Sequence, residues 1–219
     1  MIKAVIFDMD GVVADSQKVH AQIESDILAR FGIDISPAEL TERFSGVRVA
    51  DFFKELFDQH GVSDDVGLGD IEPVVAEKRQ AIVDYVRKNG AEPIPGIFAL
   101  VELLLQNNIL RALGTASSFE LATEILAALK LQEKIPTIAS GNEVANGKPA
   151  PDIFLLAAER LGIEPKDCLV IEDARAGMQA AKTAGMKCIG LVADRHGDYP
   201  ADVLVESLEE INLHLLQSL

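Results

Sequence analysis

The sequence predicts a doubly wound α/β protein, a parallel sheet interrupted once by an all-helical insertion. Three observations lead there. Near the N-terminus four apolar residues, Ala4 to Phe7, run straight into two carboxylates one residue apart and a glycine, Asp8-Met9-Asp10-Gly11. From Ser16 to Gly90 the apolar residues recur at helical spacing and nothing reads as a strand. Beyond Glu92-Pro93-Ile94-Pro95-Gly96, short apolar runs alternate with helical segments, the pattern of βαβ units.

The elements follow in order. Ala4 to Phe7, a short run of apolar residues, reads as a buried strand. A helix begins near Gln17, where Asp15 or Ser16 can cap it. Its apolar residues are Val19, Ile23, Ile27, Leu28 and Phe31, and Gly32 stops it. Ser36-Pro37 opens a second helix, with serine as cap and proline at the first position, running to about Phe44. Ser45-Gly46-Val47 reads as a loop and Arg48 to His60 as a helix. The glycines and aspartates of Ser63 to Asp70 make a loop. Glu72 to Asn89 is a longer helix with Val75, Ile82 and Val86 on one side, ended by Gly90. The proline-rich connector that follows marks a boundary. The expected organisation is therefore a core of residues 1–15 and 91–219, with a helical cap of residues 16–90.

In the second part of the core, helices are expected at Phe98 to Asn107, Phe119 to Leu129, Pro151 to Leu161, Ala176 to Ala184 and Leu208 to Leu216. Strands are expected at Leu110 to Gly114, Thr137 to Ala139, Cys168 to Ile171, Lys187 to Val192 and Val203 to Val205. Crossovers between parallel strands should be right-handed.

Composition narrows the function classes. The 219 residues are 48% hydrophobic, enough for a sizeable core and unlike the composition of a disordered chain. A net charge of −15 argues against nucleic acid as a partner. Cys168 and Cys188 sit in apolar runs and read as buried thiols. There is no signal-peptide pattern and no apolar stretch long enough to span a bilayer, so the expectation is a cytoplasmic protein without a membrane partner. Monomer or weak homodimer is the expected state.

Three strand ends carry polar residues: Asp8 and Asp10 after the first, Thr115 and Ser117 after the second, Glu172 and Asp173 after a later one. A loop adds Lys148 in Gly147-Lys148-Pro149. In an open parallel sheet these ends converge on one crevice. Each alone has a plain reading as turn, cap or surface lysine. A calcium loop fails, because that pattern wants an acid or Asn where Val12 stands. Together the carboxylates cannot all ionise without a cation, and oxygen ligands without His or Cys suit Mg²⁺. A cation, a lysine, a hydroxyl and strand-end amides make a site for a phosphoryl group. A carboxylate there can attack phosphorus and form an aspartyl phosphate.

These motifs resemble, in order and over essentially the whole chain, those of the haloacid dehalogenase-like superfamily, in the subgroup with a helical cap after strand one. Asp8-Met9-Asp10-Gly11 looks like its first motif and Thr115 its second. Lys148 in Gly147-Lys148-Pro149-Ala150-Pro151-Asp152 looks like its third, and Glu172-Asp173 in Ile171-Glu172-Asp173-Ala174-Arg175-Ala176-Gly177 its fourth. The resemblance implies a Rossmann-like core and gives each residue a role. Asp8 is the nucleophile and a Mg²⁺ ligand. Asp10 is general acid and then base, with its backbone carbonyl on the metal. Asp173 is a direct ligand and Glu172 a ligand or one contact removed. Thr115, the Ala116 amide, Ser117 and Lys148 hold phosphoryl oxygens. An acid at Asp10 favours phosphatases and mutases over dehalogenation.

Within the superfamily the chain is similar to β-phosphoglucomutase-like proteins and sugar-phosphate phosphatases. The resemblance places cap contacts to substrate at His20 and in the loop carrying Gly46, Val47 and Arg48. Gly46-Val47 fits the mutase, but Ser45 stands where the mutase has lysine, and Val49 where it has the arginine that grips a distal phosphate. Arg48 is one position away. The expected function is thus a Mg²⁺-dependent phosphatase of small phosphorylated metabolites, with a phosphohexomutase as alternative. A phospho-receiver module uses a similar set of groups, but length, insertion and Asp10 speak against it.

Overall fold

The structure is a computed structural model that describes residues 2–44, 49–62 and 71–219. The chain divides into two compact units, residues 1–15 with 90–219, and residues 16–89. In the first unit, strands β1 (Ala4–Phe7), β2 (Leu110–Thr115), β3 (Thr137–Ser140), β4 (Cys168–Glu172), β5 (Lys187–Leu191) and β6 (Val203–Val205) form one sheet in the order β3-β2-β1-β4-β5-β6. All of these pairings are parallel, as the alternating pattern predicts.

The register explains why strand ends meet. Phe7 is level with Leu113 on one side and Ile171 on the other, and Thr115 is level with Ser140. The chain runs outward from β1 to β3, then returns to lay β4 on the other side of β1. At such a reversal the loops diverge and leave a crevice at the carboxyl ends. All four residues of β1 are buried, so both of its faces are covered, as parallel sheets require. The Asp152–Leu161 helix packs on β1, β2 and β3, and the Arg175–Thr183 helix on β4 and β5. Ile6, Ala112, Phe154, Val170, Met178 and Cys188 share one core. Both cysteines are buried free thiols, and burial pushes Cys168 up to about 11.

One expectation needs correction. The last segment is not one helix from Leu208 to Leu216. A 3-10 turn, Leu208–Glu210, is closed by a Ser207/Glu210 capping box, and a separate helix spans Leu213–Ser218. Asn212 divides them: its side chain accepts from the Leu215 amide at 3.0 Å and caps the new helix.

The two crossings between the units pair as a short antiparallel ribbon. Ala14 bridges Pro93, the Asp15 amide donates to the Glu92 carbonyl at 2.9 Å, and the Ile94 amide to the Val13 carbonyl at 3.1 Å. Proline tolerates the middle of this ribbon because the donors lie on either side of it.

The second unit holds the helices Gln17–Arg30, Pro37–Phe44, Val49–His60 and Glu72–Asn89. Its core is aromatic: Phe52 and Phe53 stack at 4.4 Å, and Phe31 meets Phe57 at 4.9 Å. Leu28, Leu40 and Leu56 fill the space between. No helix among the described residues is long and apolar enough to cross a membrane.

Phe154 anchors the sheet unit, since a methyl group on Gly114 would come within 2.9 Å of its ring. Phe154→Ala should lower stability by about 3–5 kcal/mol, read as a drop in the urea midpoint of far-UV circular dichroism. A loss below about 1 kcal/mol would mean this core collapses freely around the gap.

Candidate active site

The first acids are placed by the way β1 ends. The Asp8 amide donates to the Ile171 carbonyl at 2.9 Å, so Asp8 continues the line of the strand. The chain then turns, with the Val13 and Ala14 amides both donating to the Met9 carbonyl. Asp10 rides on that turn, and its carboxylate accepts from the Ser117 hydroxyl at 3.0 Å. Asp8 is only 6% exposed.

β2 ends in the fully buried Thr115, whose hydroxyl oxygen accepts from the Ser117 amide at 3.0 Å. Lys148 comes from a clasped loop. The Asn146 amide and side chain both donate to Asp152, at 3.3 and 3.0 Å, and the Ala150 amide closes on the Gly147 carbonyl at 3.0 Å. The ammonium so held reaches Asp8 Oδ1 at 2.5 Å and Glu172 Oε1 at 2.7 Å. It also lies 4.8 Å from the Phe154 ring centre, a cation–π distance.

Glu172, at the end of β4, is 1% exposed and engaged at both oxygens. Oε1 takes Lys148, and Oε2 accepts from the Ala174 amide at 2.6 Å. It fits only because residue 177 is glycine. A Cβ there would stand 1.6 Å from Glu172 Oε1.

The electrostatics are dominated by burial and by too many acids. Burial raises the Asp8 carboxyl well above its usual range; Lys148 opposes this, while Glu172, Asp173 and Asp10 add to it. Burial also pushes Asp173 up to about 7, with Glu172 adding to the effect. For Lys148 burial favours the neutral amine, but the charges of Asp8 and Glu172 outweigh it and the lysine stays protonated. Asp8, Glu172 and Asp173 each bring an oxygen within 4.8 Å of the others. Clustered oxygen donors, buried acids whose carboxyls are raised and a surplus of carboxylate over ammonium fit a hard divalent cation.

The structure thus gathers Asp8, Asp10, Thr115, Ala116, Ser117, Lys148, Glu172 and Asp173 at the carboxyl ends of β1, β2 and β4 and the adjoining loop. His20 lies in the helical unit. Gly46, Val47 and Arg48, with Ser45, lie outside the described residues. Lys78 also lies in the helical unit. It is 5% exposed, its Nζ 2.7 Å from His20 Nδ1 and 3.1 Å from Glu24. Gly177 closes the fourth motif in the sequence, but its role in leaving space for Glu172 shows only in the structure.

The chain is similar to proteins of a known family. The model of the haloacid dehalogenase-like hydrolase family matches residues 5–191. The chain is 32% identical over 216 residues to the β-phosphoglucomutase of Bacillus subtilis, covering 98% of this chain and 94% of that one. It is 32% identical over 190 residues to the fructose-1-phosphate phosphatase YqaB of Escherichia coli, covering 84% and 94%. Among solved structures, a β-phosphoglucomutase from Clostridium difficile superposes with a TM-score of 0.87 at 28% identity, covering 100% of this chain and 96% of that one.

Two predictions follow from the acid cluster. Gly177→Ala should displace Glu172 and weaken Mg²⁺ binding by about tenfold or more, measured by calorimetry; unchanged affinity would separate Glu172 from the cation site. A carboxyl raised to about 7 must shed its proton to hold a cation. Mg²⁺ affinity should therefore fall as pH drops through that value, by up to about tenfold per unit. Constant affinity between about pH 6 and 8 would contradict it.

Proposed function

Because the chain belongs to the haloacid dehalogenase-like hydrolase family, we propose that it is a Mg²⁺-dependent phosphatase of small phosphorylated metabolites, sugar phosphates foremost, working through an aspartyl phosphate. The observation that carries this reading is the shared lysine: Lys148 holds Asp8 at 2.5 Å and Glu172 at 2.7 Å, with Asp173 beside them and Asp10 on the adjoining turn. Relatives whose names specify phosphatases of fructose 1-phosphate, hexitol phosphates and phosphorylated carbohydrates support the substrate class.

Asp8 attacks phosphorus through the oxygen that Lys148 leaves open. Its backbone is fixed in the sheet, so the carboxylate is already aimed, and little ordering remains to be done in the transition state. The Thr115 hydroxyl, the Ala116 amide and the Lys148 ammonium hold the phosphoryl oxygens, where charge develops. Asp10 gives its proton to the departing ester oxygen. It then takes a proton from the water that attacks the aspartyl phosphate, and inorganic phosphate leaves with Asp8 restored. The Ser117 hydroxyl, bonded to Asp10, steadies that carboxylate. Mg²⁺ would be held by Asp8, Asp173 and the Asp10 carbonyl, with Glu172 adjacent, and would supply the positive charge that lets an anionic ester meet an anionic nucleophile.

A phosphohexomutase is the second reading, supported by the 32% identity to a β-phosphoglucomutase over nearly the whole chain. Val49, half-buried at the first position of its helix, offers no charge for a distal phosphate. That tips the choice to hydrolysis.

Asp8→Asn should abolish turnover of p-nitrophenyl phosphate even where circular dichroism shows the chain still folded, with Lys148 keeping Glu172 as its partner. Asp10→Asn should slow turnover of poor leaving groups by about 10²-fold. Wild-type rates in either variant would overturn the assignments. Hexose, pentose and glycolate phosphates should release inorganic phosphate. Isomerisation of β-glucose 1-phosphate that depends on a bisphosphate primer would favour the mutase instead.

A further inference from the structure

The turn from Thr115 to Ser118 carries the phosphoryl grip in the reading above, yet it has no regular structure of its own. It is shaped from the neighbouring strand. β2 and β3 end together, Thr115 level with Ser140. From there the Gly141 amide donates to the Ser117 carbonyl at 3.1 Å, and the Asn142 side-chain oxygen accepts the Phe119 amide at 3.1 Å. The hydroxyl of the buried Ser140 lies 2.8 Å from the same oxygen and 2.5 Å from the Glu143 carboxylate. One bond thus fixes the middle of the turn and another its far end, where the Phe119–Ala128 helix begins.

The approach is close. A Cβ on Gly141 would lie 2.2 Å from the Ala116 carbonyl oxygen and 2.9 Å from its carbon. Those are backbone atoms, so any side chain at 141 must move the turn itself. With the Ser117 carbonyl committed to Gly141, the Ser117 amide sits on the Thr115 hydroxyl oxygen at 3.0 Å. That oxygen is an acceptor there, and its own proton is directed elsewhere. The clasp therefore sets where the Thr115 hydroxyl donates. The far side is anchored too. Glu143 accepts from the Ser140 amide at 3.0 Å and from Arg160 at 2.8 Å, and Arg160 stands on the helix that follows the Lys148 loop.

We propose that Gly141 and Asn142 are positioning residues for phosphoryl binding, holding the Thr115–Ser118 turn in register without touching the substrate. The inference rests on the phosphoryl reading of the site. Neither residue belongs to the acid cluster or to the motifs read from the sequence. Asn142 is exposed, so removing its side chain leaves no cavity.

The test uses the full chain with Asn142→Ala, Asn142→Asp and Gly141→Ala. The readouts are p-nitrophenyl phosphate kinetics, inhibition by inorganic phosphate, Mg²⁺ affinity by calorimetry, and melting temperature. Asn142→Ala should raise KM and weaken inorganic phosphate by about tenfold, with Mg²⁺ affinity and melting temperature unchanged. Asn142→Asp keeps the acceptor oxygen and should restore both. Gly141→Ala should lose about 10²-fold in kcat/KM. Wild-type phosphate binding in Asn142→Ala would overturn the proposal. So would a parallel loss of phosphate binding, Mg²⁺ affinity and melting temperature that Asn142→Asp fails to rescue, since that describes a merely structural residue. A wild-type protein that neither binds phosphate nor turns over the ester would remove the phosphoryl reading, and this inference with it.

Discussion

A lysine ammonium kept out of water between two carboxylates is the constraint on which the sheet unit turns. Lys148 reaches Asp8 on β1 and Glu172 on β4, both buried. Taking such a charge from solvent costs several kcal/mol unless its partners are close and well aimed. Close partners require β1 and β4 to be neighbours in register, as the sheet order makes them. They also require a loop that cannot drift, which the Asn146–Asp152 clasp provides, and a glycine at 177 to leave Glu172 its space. Strand order, loop and helix packing answer to one ion pair.

That ion pair does not neutralise its surroundings. Asp10 and Asp173 add acids to a cluster already dense with them, and burial lifts Asp8 and Asp173 above ordinary carboxylates. A site that is uncomfortable with its own charge is one that welcomes a divalent cation. Rigid strand ends, a preset lysine and an incomplete charge balance together suit a reaction in which negative charge moves between carboxylate, phosphorus and a leaving oxygen.

How much of this was legible depended on the range of the interaction. The acids at the ends of β1 and β4, Thr115 at the end of β2 and Lys148 before the Asp152 helix all showed in the sequence, because a polar residue closing an apolar run is a local signal. The sheet was legible for the same reason. What escaped depends on contacts between distant segments. Gly177 matters through Glu172, Asn142 through Phe119, and Lys78 through His20. No local pattern separates Lys78 from a solvated lysine on a helix. The broken C-terminal helix was missed because the apolar spacing runs through Asn212, and only its capping bond reveals the interruption.

The antiparallel ribbon at Ala14 and Pro93 makes the sheet indifferent to what lies between its two legs. Chain leaves and returns at neighbouring points, so residues 16–89 occupy the topological place of a hairpin loop. Loop closure depends only weakly on length once the ends are fixed. Helices 16–89 can therefore diverge, lengthen or be exchanged in evolution while the strand ends keep their register. The chemistry at the sheet and the character of the insert are separately heritable.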